Sequence, residues 1–248
     1  MGYPIIEPYP GWIADTVTVE GPDAVEYLQG QLSNDVKGLL VGESCWSFVL
    51  EPSGKVVALV AVDRVADERI NLRVDAGFAP IVVARLLRFK IRVKADVSTI
   101  AAAEPDRSNS ASLARIEAGW PAMGAELDDS VIPAETGLVQ IATSFTKGCY
   151  TGQELVARID SRGGNVPRHL RHVSAAAGFA VGDSIMVDAR DVGKVTSAAQ
   201  SSAGTVGLAY VHRSVPVPGT AVIGSATVAI TAAASAPSEL RQADQPGR

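Results

Sequence analysis

No regular element can cross the run Arg162-Gly163-Gly164-Asn165-Val166-Pro167, and this constrains the fold more than any other stretch of the chain. The texture differs on its two sides. Downstream, His169 to Ala176, Ser184 to Asp188, Gly193 to Ala198, Val206 to Val211 and Thr220 to Ile230 form five or six short apolar runs, separated by Gly-Asp, Ala-Gly or Pro-Gly turns. Short strands punctuated this closely predict a small β-barrel. Upstream, strand patterns alternate with helical ones. Trp12 to Glu20, Cys45 to Leu50, Lys55 to Val65, Arg69 to Val74 and Arg92 to Val97 read as strands, with Glu51-Pro52-Ser53-Gly54 turning a hairpin. Helices are expected after Pro22, over Gly77 to Phe89 and over Ser112 to Ala118. The fold class is α+β. The expected division is residues 1–166 as an N-terminal α+β region, 167–231 as the barrel and 232–248 as a disordered Ala/Ser/Pro/Gln tail.

A chain of 248 residues can bury a substantial core, and a net charge of −5 argues against a dedicated nucleic-acid binder. No apolar run reaches the roughly 18 residues of a membrane span. Met1 to Pro10 shows neither the basic nor the apolar part of a leader, so a cytoplasmic protein with reduced thiols is expected. The two cysteines, Cys45 and Cys149, and the three histidines lack metal-ligand spacing, so no metal site is expected.

Lys147-Gly148-Cys149-Tyr150-Thr151-Gly152-Gln153-Glu154 carries the chemistry. Thr151 and Glu154 have capping-box spacing, and Leu155 and Ile159 repeat at i, i+4, so a helix is expected from about Thr151 to Asp160. Cys149 then precedes the positive end of a helix dipole, with Lys147 beside it, and both favour thiolate over thiol. The alternative for Cys149 is an inert, buried small side chain. Cys45, between strand residues and next to Trp46, is expected in the core.

This stretch, with Leu155-Val156-Ala157-Arg158, resembles the signature of YgfZ-type proteins, relatives of the glycine-cleavage T-protein (aminomethyltransferase). The segment Tyr27 to Val36, the run Arg115-Ile116-Glu117-Ala118-Gly119 and Gly193 to Ala198 resemble further motifs of that family, so the likeness spans about Trp12 to Ile230. It implies a ring of three small parts, two of them intertwined before residue 167, around a central opening that holds tetrahydrofolate or another folate. It also implies a role in iron–sulfur cluster maintenance, with iron–sulfur proteins or assembly factors as partners. Cys149 and Lys147 are the implied catalytic pair. Arg115, Glu117, Arg158 and Arg162 are the candidates for holding folate, although solvation or a structural ion pair would equally explain them.

One departure limits the resemblance. The T-proteins place an aspartate on the second hairpin strand for one-carbon transfer, where this chain has Val57 and Ala58. Three functions follow in order: a folate-associated factor for iron–sulfur enzymes acting through Cys149, a tetrahydrofolate-dependent aminomethyltransferase, and a non-catalytic folate or partner-binding module.

Overall fold

The computed structural model describes residues 7–233. Two sheets organise it. In the first, strand β1 (Ala14–Glu20) lies between β4 (Arg69–Asp75) and β5 (Asp96–Ile100), with β2 (Ser44–Leu50) and β3 (Val56–Ala66) extending the β4 side, in the order β2-β3-β4-β1-β5. Every pairing is antiparallel, as consecutive hairpins allow. Alternation in Ala14–Glu20 sends Asp15, Val17 and Val19 inward. Asp15 is a carboxylate in a core position, and it is stable there because three amides donate to it: Gly77 at 2.8 Å, Ala79 at 3.2 Å and Ala102 at 2.9 Å.

Helix α1 (Ala24–Gln31) and helix α2 (Ala79–Phe89) pack on this sheet. The buried residues of α2, namely Ala79, Val82, Arg85 and Leu86, follow the helical period, with one cation among them. Helix α3 (Asn109–Glu117) begins after Ser108, whose hydroxyl accepts the Ala111 amide at 3.2 Å. Three short helices follow: α4 (Pro133–Thr136), α5 (Val139–Ala142) and α6 (Gln153–Asp160).

The second sheet is a closed barrel of β6 (Arg168–Ala175), β7 (Ser184–Val187), β8 (Arg190–Ser201), β9 (Gly204–His212), β10 (Gly219–Ile223) and β11 (Ala226–Ala232), in the order β10-β11-β6-β9-β8-β7. The pairing of Val222 with Met186 closes it, so no strand of the ring presents a bare edge. Its interior has its own core, including Val173, Ile185, Val195 and Val228. On its outer side Leu170, Ala199, Leu208 and Tyr210 join the larger core of the first sheet and the helices. In that larger core, Trp46 stacks between Trp12, with centroids 5.4 Å apart, and Trp120, at 4.5 Å.

The expected strand Arg92 to Val97 is shifted. Asp23 pins Lys94 twice, its carboxylate accepting the Lys94 amide at 2.8 Å and its own amide donating to Lys94 O at 3.2 Å, and Arg92 has φ 56°. Pairing with β1 therefore starts only at Glu20 opposite Asp96. At the C-terminus, Ala232 closes β11 and so belongs to the barrel rather than to the expected tail. Residues 234–248 of that tail and residues 1–6 lie outside the described residues.

Candidate functional site: the Cys149 loop

Residues 143–152 connect α5 to α6 and run along the end of α1. The Ser144 amide donates to Ser33 O at 3.0 Å, the Ser33 hydroxyl to Ala142 O at 2.5 Å, and the Asn34 side-chain amide to Ile141 O at 3.0 Å. Ser47 on β2 accepts the Asn34 backbone amide at 3.0 Å, which ties the same segment to the sheet. The loop is therefore seated on ordered structure before Lys147 is reached.

Lys147 then makes the principal anchor, on carbonyls in the last turn of α1 and in the segment just after it. Its ammonium donates to Gln29 O at 2.7 Å, Leu32 O at 2.7 Å and Asn34 O at 2.9 Å. An ammonium has three N–H donors, and three carbonyls take them. These acceptors lie where α1 ends, at the negative pole of its dipole, where the last carbonyls have no partner within the helix. Burial pushes the Lys147 pKa down to about 8, opposed by Asp35 and Cys45. The sequence places this charge beside the Cys149 thiol, and in the structure its hydrogen bonds go to Gln29, Leu32 and Asn34 at and beyond the end of α1.

Thr151 makes the second anchor. Its amide donates to Gly30 O at 3.0 Å, and its hydroxyl points to the same carbonyl at 3.4 Å. The predicted capping box does not form for this reason: a tertiary acceptor has taken the hydroxyl that would have capped the helix. The N-cap is Gly152 at φ 86°, and Glu154 is left exposed. Gln153 reaches back instead, accepting the Tyr150 amide at 3.2 Å. Gly152 is required for two reasons. L residues disfavour its positive φ, and an added Cβ would lie 2.6 Å from Glu51 O and 2.8 Å from Leu50 Cβ.

Cys149 sits between these anchors and is exposed. The arrangement presents a thiol to solvent from a backbone pinned two residues to either side. Cys45 on β2 is half-buried. A thiol held this way can reach a small electrophile, a disulfide or a partner's metal.

The four residues assigned to folate are not gathered around it. Arg115 donates to Trp120 O at 2.8 Å, to Glu126 at 2.9 Å and to Ser197 of β8 at 2.6 Å, so its guanidinium joins α3 to the barrel. Glu126, with a fully buried side chain, also accepts Ser197 Oγ at 2.5 Å and the Ala122 amide at 3.0 Å. Arg115 thus makes the structural ion pair that the sequence left open beside a ligand contact, with a partner eleven residues on and the pair buried. Glu117 is exposed on α3; Arg158 is exposed on α6, and Arg162 is exposed just beyond it. A cavity of about 170 Å³ opens beside α6, lined by Leu155, Val156, Ile159, Pro133 and Gly137. Another, of about 440 Å³, lies against the barrel beside Asp128, Ser130, Arg168, Lys194, Tyr210 and His212. Cys149 lines neither. Arg115, Glu117, Arg158 and Arg162 line neither of these two cavities.

Sequence reasoning missed Gly30, Gln29 and Asn34 as partners of the loop. They act through backbone carbonyls, and the only signal was the family-like run from Tyr27 to Val36 in which all three fall.

The fold is shared with the glycine cleavage system aminomethyltransferase T of Bartonella henselae, at TM-score 0.78 over 90% of this chain and 84% of that one, with 16% identity. In sequence, the chain is 41% identical over 98 residues to the tRNA-modifying protein YgfZ of Yersinia pestis (strain Pestoides F), covering 37% of this chain and 29% of that protein. It is 51% identical over 51 residues to the protein of the same name in Serratia proteamaculans (strain 568), covering 16% of the latter. An uncharacterized protein of Haemophilus influenzae is 29% identical across 60% of this chain and 67% of its own length. No protein-family model matches the chain. In fold the chain is similar to the glycine-cleavage T-protein. In sequence, over part of its length, it is similar to the YgfZ proteins. The chain aligns with less than a third of the length of those YgfZ relatives.

Proposed function

We propose that this chain is a folate-associated factor of the cytoplasm that supports iron–sulfur enzymes, with Cys149 as its working thiol. The observation carrying this is the exposed Cys149 between two anchors, Lys147 on three carbonyls at and just beyond the end of α1 and Thr151 on Gly30. Packing alone does not call for a solvent-facing cysteine on a braced loop. Lys147 acts by holding that loop. Tetrahydrofolate or another folate is the associated small molecule, and iron–sulfur proteins or their assembly factors are the partners. The YgfZ relatives are named tRNA-modifying. With a net charge of −5, this chain would influence tRNA through a client enzyme rather than by gripping RNA.

Aminomethyl transfer is the weaker alternative. The one carboxylate on β3, Asp63, is committed to Arg73 at 2.7 Å and Ser44 at 2.6 Å, and positions 57 and 58 are Val and Ala. The test is complementation of a host lacking its own YgfZ-type protein, scored by the activity of an iron–sulfur enzyme. Cys149→Ser should abolish rescue and Cys45→Ser should preserve it. Full rescue by Cys149→Ser would refute the reading. Calorimetric titration with tetrahydrofolate, on wild type and Cys149→Ala, separates folate binding from thiol chemistry.

A further inference from the structure

Arg85 projects from the buried face of α2 and is only 3% exposed. Its Nε donates to Leu50 O at 2.8 Å and its Nη1 to Gln31 Oε1 at 3.1 Å, while the guanidinium lies 4.1 Å from the Phe89 ring centre. Its Nη2 is buried and has no protein partner. A buried cation with a donor left over is a poor device for stability, because an apolar side chain of similar volume often does as well or better. Burial accordingly lowers its pKa, against opposing pulls from Glu51 and Tyr27.

What Arg85 touches is more informative than what it lacks. Gln31 follows Gly30, whose carbonyl takes the Thr151 amide. Leu50 is the residue against which Gly152 packs, together with Glu51. One guanidinium thus joins the end of α1 to the end of β2, and the Cys149 loop rests on the same two ends. We propose that Arg85 is a positioning residue for the Cys149 loop. It sets the spacing between the α1 and β2 ends on which Thr151 and Gly152 dock, and so fixes where the thiol is presented. Its functional importance rests on Cys149 being the working thiol; its effect on the loop does not.

The test uses the full chain as Arg85→Met, Arg85→Lys and Gln31→Met, digested briefly with trypsin well below each variant's Tm. In wild type the Lys147 side chain is held on three carbonyls, so cleavage after Lys147 should be slow relative to cleavage after exposed Arg162. In Arg85→Met the ratio of Lys147 to Arg162 cleavage should rise at least fivefold, and Cys149 alkylation should change at least threefold relative to Cys45. Arg85→Lys, which retains a donor for Leu50 O, should fall between. Gln31→Met keeps the guanidinium but removes one acceptor, and should move both ratios the same way even if Arg85→Met does not fold. Unchanged ratios in folded Arg85→Met, or in Gln31→Met should Arg85→Met not fold, would overturn the proposal. Such a result would leave the Cys149 reading standing, since that reading fails only if Cys149→Ser still rescues.

Discussion

Replacing Lys147 by Met keeps most of the side chain's reach and removes the charge, so it isolates the anchor. Three hydrogen bonds from an ammonium, at 2.7, 2.7 and 2.9 Å, are lost together. A bond to a charged group is worth about 1.5–3 kcal/mol net, which sets an upper range of roughly 4.5–9 kcal/mol. Two effects reduce it. Burying the ammonium has a cost, visible in a pKa lowered to about 8, and Met no longer incurs it. Water can also reach the freed carbonyls, because Lys147 is only half-buried. The expected loss is about 2–4 kcal/mol. Urea unfolding followed by circular dichroism measures it, with an unchanged m-value showing that the loss is one of stability. Lys147→Arg is the informative companion. It keeps the charge, but a planar fork cannot converge on three carbonyls as an ammonium does, so it should lose at least about 1 kcal/mol. A loss below about 0.5 kcal/mol in Lys147→Met would refute the anchor, because surface substitutions away from special features fall within that range.

Gly152→Ala should destabilise by about 2–5 kcal/mol, adding a left-handed penalty to the clash with Glu51 O and Leu50, and thermal melts would show it. Glu126→Ala strands Arg115 inside the protein and should cost about 3–5 kcal/mol; an equal loss from an exposed control such as Glu154→Ala would argue against the network. Acid should weaken the barrel. Burial lowers the pKa of both His169 and His172 on β6, so below the ordinary value near 6.5 the unfolded chain binds more protons than the native one and stability falls. Urea midpoints at pH 7.5 and 5.5 should therefore differ more in wild type than in His169→Gln/His172→Gln.

Elements whose signal is local were legible in the sequence. Alternation in Ala14–Glu20 and Arg69–Asp75, and the turn residues between β2 and β3, need no tertiary partner to be read. The spaced barrel strands were equally plain, and so was the helix that follows Thr151. What failed depended on distant partners. Thr151 has the right spacing for a cap, yet Gly30, 121 residues away in the chain, takes its hydroxyl. Arg115 could be read as an ion-pair residue, but not its partners Glu126 and Ser197, the latter 82 residues on. Lys147 was noticed for its charge, but backbone carbonyls have no letter in a sequence, so its role as an anchor could not be read. Arg85 was hidden because one charge in a helical stripe resembles an ordinary solvated residue.

The stack of Trp12, Trp46 and Trp120 holds every tryptophan of the chain, and all three belong to the larger core. The core inside the barrel has none. Ultraviolet emission excited through indole is therefore an internal lamp for one half of the molecule, dark to the other. If the barrel loosens before the sheet, the emission stays native while the far-ultraviolet dichroism has already begun to change. If the two fall together, the curves overlay, and the outer barrel residues Leu170, Leu208 and Tyr210, shared with the larger core, are what couple them.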